Sequence, residues 1–284
     1  MRNDHLLTAT ELHAKLADPR LRIMDCRFDL QSPNAGRQEY LHAHIPGAIY
    51  ADLDKDLAGP VNADTGRHPL PQVAAISEFL AAAGISDNTD VVVYDAASGA
   101  LAARAWWLLR WLGHDRVRVL EGGMAAWTAA GLALQQDVIQ AKRAVFHARP
   151  RPEMVLPLNE IIADEGRVSG TVLLDARDAA RFRGEVEPID ALAGHIPGAR
   201  NLPFTAALDG DGRWKNRAEL RAMLEAALGD AADAGFGVMC GSGVTACHVA
   251  LTALLAGYDE PRLYVGSWSE WIRDPQRPVA TGGA

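Results

Sequence analysis

The sequence predicts an α/β protein of two tandem domains, each a mainly parallel sheet flanked by helices. Short apolar strands alternate with helical runs across short connections, the order that generates parallel sheets. That order starts again halfway along the 284-residue chain, which marks an internal duplication. Three anchors fix the repeat. Asp25-x-Arg27 matches Asp175-x-Arg177, and His44-Ile-Pro-Gly-Ala48 matches His195-Ile-Pro-Gly-Ala199. Gly122 and Trp127 match Gly266 and Trp271 at a constant offset of 144. The predicted division is a first domain over 1–138, a linker over 139–156 and a second domain over 157–284.

In the first half, Thr8-Ala-Thr-Glu11 reads as a capping box ahead of a short helix that stops at Asp18-Pro19. Leu21–Asp25 reads as a strand, Arg37–Leu41 as a helical turn, and Thr65–Pro71 as a Pro/Gly-punctuated loop. Val73, Ile76, Phe79 and Leu80 recur at helical spacing. Asp90–Asp95 is an apolar strand suited to a sheet covered on both faces. Ala100–Leu112 is an apolar helix, and Val117–Leu120 a further strand. Gln135–Pro157, with Arg149-Pro-Arg-Pro152 inside it, has the composition of a linker. The second half then shows a strand over Thr171–Asp175 that leads to Ala176–Phe182, and a helix over Ala218–Leu228. A strand over Ala234–Met239, a helix over His248–Ala256 that stops at Gly257, and a strand over Arg262–Val265 complete it.

The chemistry converges on Cys240-Gly-Ser-Gly-Val-Thr-Ala-Cys247. Cys240 ends a buried strand, and the loop after it enters a helix N-terminus. Gly241 and Gly243 let backbone N–H groups turn inward around one point, where the helix dipole adds positive potential. Such a site holds a thiolate or a bound anion. The offset of 144 sets Cys240 opposite Ala96 and Gly243 opposite Gly99, so one half carries the nucleophile and the other does not. The alternative reading of Cys240 is a buried structural cysteine. The same structural reading fits Cys26 and Cys247, and it also fits His195, the duplicate of His44. Asp25 and Asp175 end matching strands and read as turn or capping groups.

Composition removes several classes. A net charge of −8 argues against a nucleic-acid surface. No apolar run approaches the ~20 residues of a membrane span. Three cysteines make neither a disulfide framework nor a C-x-x-C metal pair. A soluble, cytoplasmic protein in a reducing compartment fits best.

With these motifs the chain resembles the two-domain rhodanese-type sulfurtransferases over nearly its whole length. The resemblance rests on the tandem architecture, both His-Ile-Pro-Gly-Ala motifs, the Asp-Ala-Arg…Arg-Phe-x-Gly run and the Cys240 loop. It implies a persulfide on Cys240 and a catalytically silent N-terminal domain. Thiosulfate-preferring members usually carry basic residues after the cysteine. Gly241 and Ser242 instead resemble the loop of 3-mercaptopyruvate sulfurtransferases. The resemblance further implies that the amides of Gly241, Gly243, Val244 and Thr245 hold the sulfur. It implies that Arg181 grips the donor carboxylate and that His44 cooperates with Ser242. The acceptor would be a thiol such as reduced thioredoxin, or cyanide, and no metal or organic cofactor would be needed.

Two departures bear on the donor. The family's second substrate arginine is absent, since Glu187-Pro-Ile189 stands there, and Arg67 or Arg183 is expected to supply that charge. The acidic residue that in some members precedes the histidine is also absent, with Pro33 and Asn34 in its place. Thiosulfate:cyanide transfer and a non-enzymatic sulfur-relay or binding role remain as alternatives. Phosphatase chemistry of the related cysteine-loop type needs an arginine where this chain has Ala246.

Overall fold

The computed structural model describes residues 4–162, 171–229 and 235–283. Met1–Asn3 and Ala234, the first residue of an expected strand, lie outside the described residues. The chain forms two compact units. The first comprises Met1–Gly59, Leu70–Arg151 and Gly210–Arg213; the second comprises Pro60–Pro69, Pro152–Asp209 and Trp214–Ala284. Among the described residues no helix is long and apolar enough to cross a membrane.

The first unit is built on a sheet with strands β1 (Leu6–Leu7), β2 (Leu21–Asp25), β3 (Ala48–Tyr50), β4 (Asp90–Tyr94) and β5 (Val117–Leu120). Their order is β1-β5-β4-β2-β3 and every pairing is parallel. Val91, Val92, Val93 and Tyr94 are all buried, as the unbroken apolar run requires of a strand covered on both faces. The Thr8–Glu11 capping box is present in both directions. The helix Ala102–Trp111 packs Trp106 and Trp107 completely inside. β3 was not foreseen. It forms because His-Ile-Pro-Gly-Ala returns the chain beside β2, where Ile23 pairs with Ala48. Residues 139–151 form no helix or strand but are bonded to this unit, with Ala144 N–H on Ala81 O and Arg149 N–H on Leu112 O.

The second unit carries β6 (Leu173–Asp175), β7 (Arg200–Asn201), β8 (Gly237–Met239) and β9 (Arg262–Leu263), in the order β7-β6-β8-β9 and again parallel. The helix Thr245–Ala256 is buried at almost every position and ends on Gly257, whose φ of 90° is left-handed.

The repeated motifs have the same architecture in each unit. Arg27 clasps Asp25 through Nε and Nη2, at 3.0 and 2.6 Å, and reaches Ala43 O at 2.8 Å. Arg177 clasps Asp175 in the same way, at 3.0 and 2.6 Å, and reaches Gly194 O at 2.7 Å. Each Asp also accepts the backbone N–H of its own arginine. The expected turn aspartates are therefore also buried ion-pair partners, with almost no solvent exposure. They tie a strand end to the carbonyl just before the His-Ile-Pro-Gly-Ala motif.

The strand registers correct one alignment. Asp25 pairs with Tyr94 and Asp175 with Met239, so the next residues, Asp95 and Cys240, correspond. Ala96 does not hold the cysteine position. A loop one residue longer in the first half hides this shift from a constant offset, because Gly99 and Gly243 still match, with φ of 75° and 76°. The Asp95 carboxylate accepts N–H bonds from Ala97 at 3.1 Å, Gly99 at 2.9 Å, Leu101 at 2.9 Å and Ala102 at 3.2 Å. The first unit thus fills its own amide cradle with a carboxylate. Burial pushes Asp95 above the ordinary carboxylate value, against the opposing pull of these four N–H groups. Asp95→Asn places an NH2 group against two of these donors. It should cost about 2–3 kcal/mol in a urea melt, by the price of buried unsatisfied donors.

Candidate active site

Cys240 follows the carboxyl end of β8, an interior strand of its sheet, where sites in parallel α/β sheets form. It is 2% exposed. The Gly243 N–H points at its Sγ from 3.1 Å. Gly243 can make this turn because its φ is positive; a Cβ there would also lie 2.5 Å from Val265 O. Val244 caps the following helix, and Thr245 begins it. The sulfur thus has an N–H donor and the start of a helix beside it.

The backbone of the loop is tied down by a second segment. The Cys240 N–H donates to Ser267 Oγ at 3.1 Å, and that hydroxyl donates to Tyr264 O at 2.9 Å. The N–H groups of Trp268 and Ser269 bond the carbonyls of Cys240 and Gly241. Ser267 holds φ at +54°, the one non-glycine residue in the left-handed region among those described. Such a conformation persists where surrounding contacts impose it. Cys247 is fully buried and its Sγ sits 3.3 Å from Gly243 O, a contact that holds the loop. Burial and the charge of Asp25 push the Cys26 thiol well above its usual value, which suits a structural cysteine.

Segment 60–69 supplies side chains to the same loop. Gly66 approaches so closely that a Cβ would lie 2.3 Å from Gly266 O. The Arg67 N–H donates to Ser269 Oγ at 2.9 Å. The His68 ring then shares a hydrogen bond of 2.7 Å between Nδ1 and Ser242 Oγ, with both residues buried. The sequence reading missed His68. A usable signal existed, for unlike the two histidines of the repeated motif it has no duplicate. His44 lies in the first unit, completely buried, with Nδ1 2.7 Å from Tyr40 O and its ring stacked on Tyr40 at 4.1 Å. His195 has the same setting, Nδ1 2.8 Å from Phe182 O and its ring on Phe182 at 3.8 Å. The two motif histidines share one packing role, and the histidine on Ser242 is His68.

The charged groups beside the loop form a chain. A Cβ on Gly241 would lie 3.2 Å from Arg67 Nη2, 3.7 Å from Arg181 Nη2 and 3.7 Å from Asp190 Oδ2. Asp190 joins the two arginines, Oδ1 to Arg67 Nη1 at 2.6 Å and Oδ2 to Arg181 Nη2 at 3.1 Å. Glu187 takes the other edge of Arg181, at 2.7 Å from Nη2 and 3.1 Å from Nε. Of the two arginines expected to supply a second charge, Arg67 is at the loop. Arg183 is an exposed residue paired with Glu185, lining a surface cleft with Phe182 and Arg200. Burial alone would raise Glu187, but the hydrogen bonds from Arg181 and from the Asp190 and Ile189 N–H groups hold it below the ordinary glutamate value.

Comparisons with known proteins identify the family. The model of the Rhodanese-like domain matches residues 8–130 and 158–274. A probable 3-mercaptopyruvate sulfurtransferase of Pseudomonas aeruginosa is 49% identical, covering 99% of this chain and 100% of its own. A putative thiosulfate sulfurtransferase of Mycobacterium tuberculosis, SseB, is 40% identical over 100% of this chain and 99% of its own. Among solved structures, 3-mercaptopyruvate sulfurtransferase from Leishmania major superposes with a TM-score of 0.84 at 34% identity. It covers 97% of this chain and 76% of its own. SseA from Escherichia coli superposes with a TM-score of 0.79 at 33% identity, over 93% and 98%.

The depressed pKa of Glu187 sets a pH signature. A carboxylate lowered in the folded state contributes stability above its unfolded pKa of about 4.3. It loses that contribution as pH falls through the folded value. Glu187→Gln should therefore destabilise by about 2 kcal/mol at pH 7. The gap from the parent should close as pH drops below the ordinary glutamate range, measured by urea melts across pH.

Proposed function

The chain belongs to the rhodanese-like family and is a sulfurtransferase, and on that premise we propose that it moves sulfur from 3-mercaptopyruvate to a thiol or to cyanide through a persulfide on Cys240. The observation that carries the reading is the pair Ser242–His68 beside a cysteine held in an amide cradle. The donor is the one named for the relatives from Pseudomonas aeruginosa and Escherichia coli.

The chemistry follows from the placement. The Cys240 thiolate attacks the donor's thiol sulfur, an S–S bond forms and the donor's C–S bond breaks. The electron pair of that bond leaves as the enolate of pyruvate, which takes a proton at carbon. The outer sulfur keeps the donor's own proton. Gly243 N–H, with its neighbours from Gly241 to Thr245, stabilises the sulfur charge. Ser242, backed by His68, polarises the donor carbonyl and relays the proton that the enolate needs. Arg181 and Arg67 hold the carboxylate. An acceptor thiolate, such as reduced thioredoxin, then attacks the outer sulfur and Cys240 leaves as thiolate. His68 takes the role first given to His44. The buried free thiols suit a reducing cytoplasm.

Thiosulfate requires less of the protein, because sulfite leaves as a stable dianion and needs no proton. This separates the roles. Cys240→Ala should abolish transfer from both donors, whereas Cys247→Ala should keep transfer and lose about 1 kcal/mol of stability. His68→Gln and Ser242→Ala should each lower kcat with mercaptopyruvate by about 100-fold and change thiosulfate turnover far less. Equal losses with both donors would remove the proton-relay role.

A further inference from the structure

Arg67 and Arg181 approach Gly241 as a pair, yet the carboxylate between them already belongs to the protein. Asp190 accepts one hydrogen bond from each guanidinium, and its side chain is 3% exposed. Its own N–H is held by Glu187 Oε1 at 3.1 Å, so its position is built in. Glu187 also lies 3.6 Å from Arg177, which clasps Asp175, so the connected group holds three arginines and three carboxylates and carries no net charge. Arg67 Nε–H is buried with no hydrogen-bond partner, while its Nη2 is the atom that lies against Gly241. A site that binds an anionic donor therefore has its two strongest cations already engaged by an internal anion.

We propose that Asp190 determines donor specificity: its carboxylate competes with the donor's anionic group for Arg67 and Arg181, and it sets the charge of the site against dianionic donors. This rests on the sulfurtransfer reading above. A monoanionic carboxylate can share the Nη2 groups of Arg67 and Arg181 that lie against Gly241. A dianion meets no net positive charge and must expel Asp190 from both arginines. Removing the Asp190 charge without removing its shape leaves one uncompensated cation a few ångströms from the loop, where charges interact through a reduced dielectric.

The test compares the parent protein with Asp190→Asn and Asp190→Ser. Sulfate, an unreactive dianion, is titrated by calorimetry, which needs no turnover. KM and kcat are then measured with thiosulfate and with 3-mercaptopyruvate. The proposal predicts that sulfate affinity rises about tenfold or more and that the thiosulfate KM falls in parallel. It predicts a smaller change in the mercaptopyruvate KM, with kcat nearly preserved. Folded variants with unchanged or weakened sulfate affinity overturn it, since Asp190 would then only hold the arginines in place. Failure of both variants to fold also overturns it, by making Asp190 a structural counterion. A parent protein that transfers sulfur from neither donor removes the sulfurtransfer reading, while the sulfate titration still decides the competition for the arginines.

Discussion

The loop that joins a central parallel strand to the next helix turns backbone N–H groups inward, four of them in the first unit and that of Gly243 in the second. Buried donors of this kind must be paired, so the loop requires an acceptor at its centre. The two halves of the chain meet the requirement with different atoms. In the first, the Asp95 carboxylate accepts four N–H groups. In the second, Cys240 Sγ stands in the corresponding position and accepts from Gly243. A carboxylate is a permanent occupant. A sulfur atom can carry negative charge, accept a second sulfur and return to its starting state. The two domains thus differ in what fills a common cradle.

Around that cradle, duplicated and unique residues divide the work. The Asp25–Arg27 and Asp175–Arg177 pairs, and the rings of His44 and His195 stacked on Tyr40 and Phe182, recur with nearly the same distances. They hold strand ends and turns, a role both halves need. Ser267 stands where the first unit has Gly123, at the same left-handed φ, and its hydroxyl, His68, Arg67, Arg181 and Asp190 all lie in the unit that carries Cys240. The groups around Cys240 are thus peculiar to one copy of a scaffold whose own supports stay intact in both.

Much of this was legible in the sequence because it is local. The apolar run of β4, the glycines around Cys240 and the stop at Gly257 all act through their near neighbours, and each predicted its element. The duplication was legible for the same reason. The pairing of His68 with Ser242 spans 174 residues and that of Arg67 with Asp190 spans 123; no local pattern encodes either. His44 attracted the catalytic role through the family motif, although its exact repetition at His195 points to a function shared by both halves. The Asp95 register was hidden by a one-residue difference in loop length, visible only when β2–β4 and β6–β8 are laid side by side. The Ile189 departure looked like a lost charge, whereas the segment also brings two carboxylates against Arg181.

The central claim, that Cys240 is the atom on which sulfur rests between donor and acceptor, is tested most directly by peptide mass spectrometry. The protein would be incubated with 3-mercaptopyruvate in the absence of any acceptor and digested without reductant. The account predicts that the peptide carrying Cys240 gains one sulfur atom, that cyanide removes it as thiocyanate, and that Cys26 gains none. Because Cys240 and Cys247 share a peptide, the same gain should survive in Cys247→Ala and vanish in Cys240→Ala. Sulfur found on Cys247 or Cys26, or no gain of mass while transfer to cyanide proceeds, would contradict it.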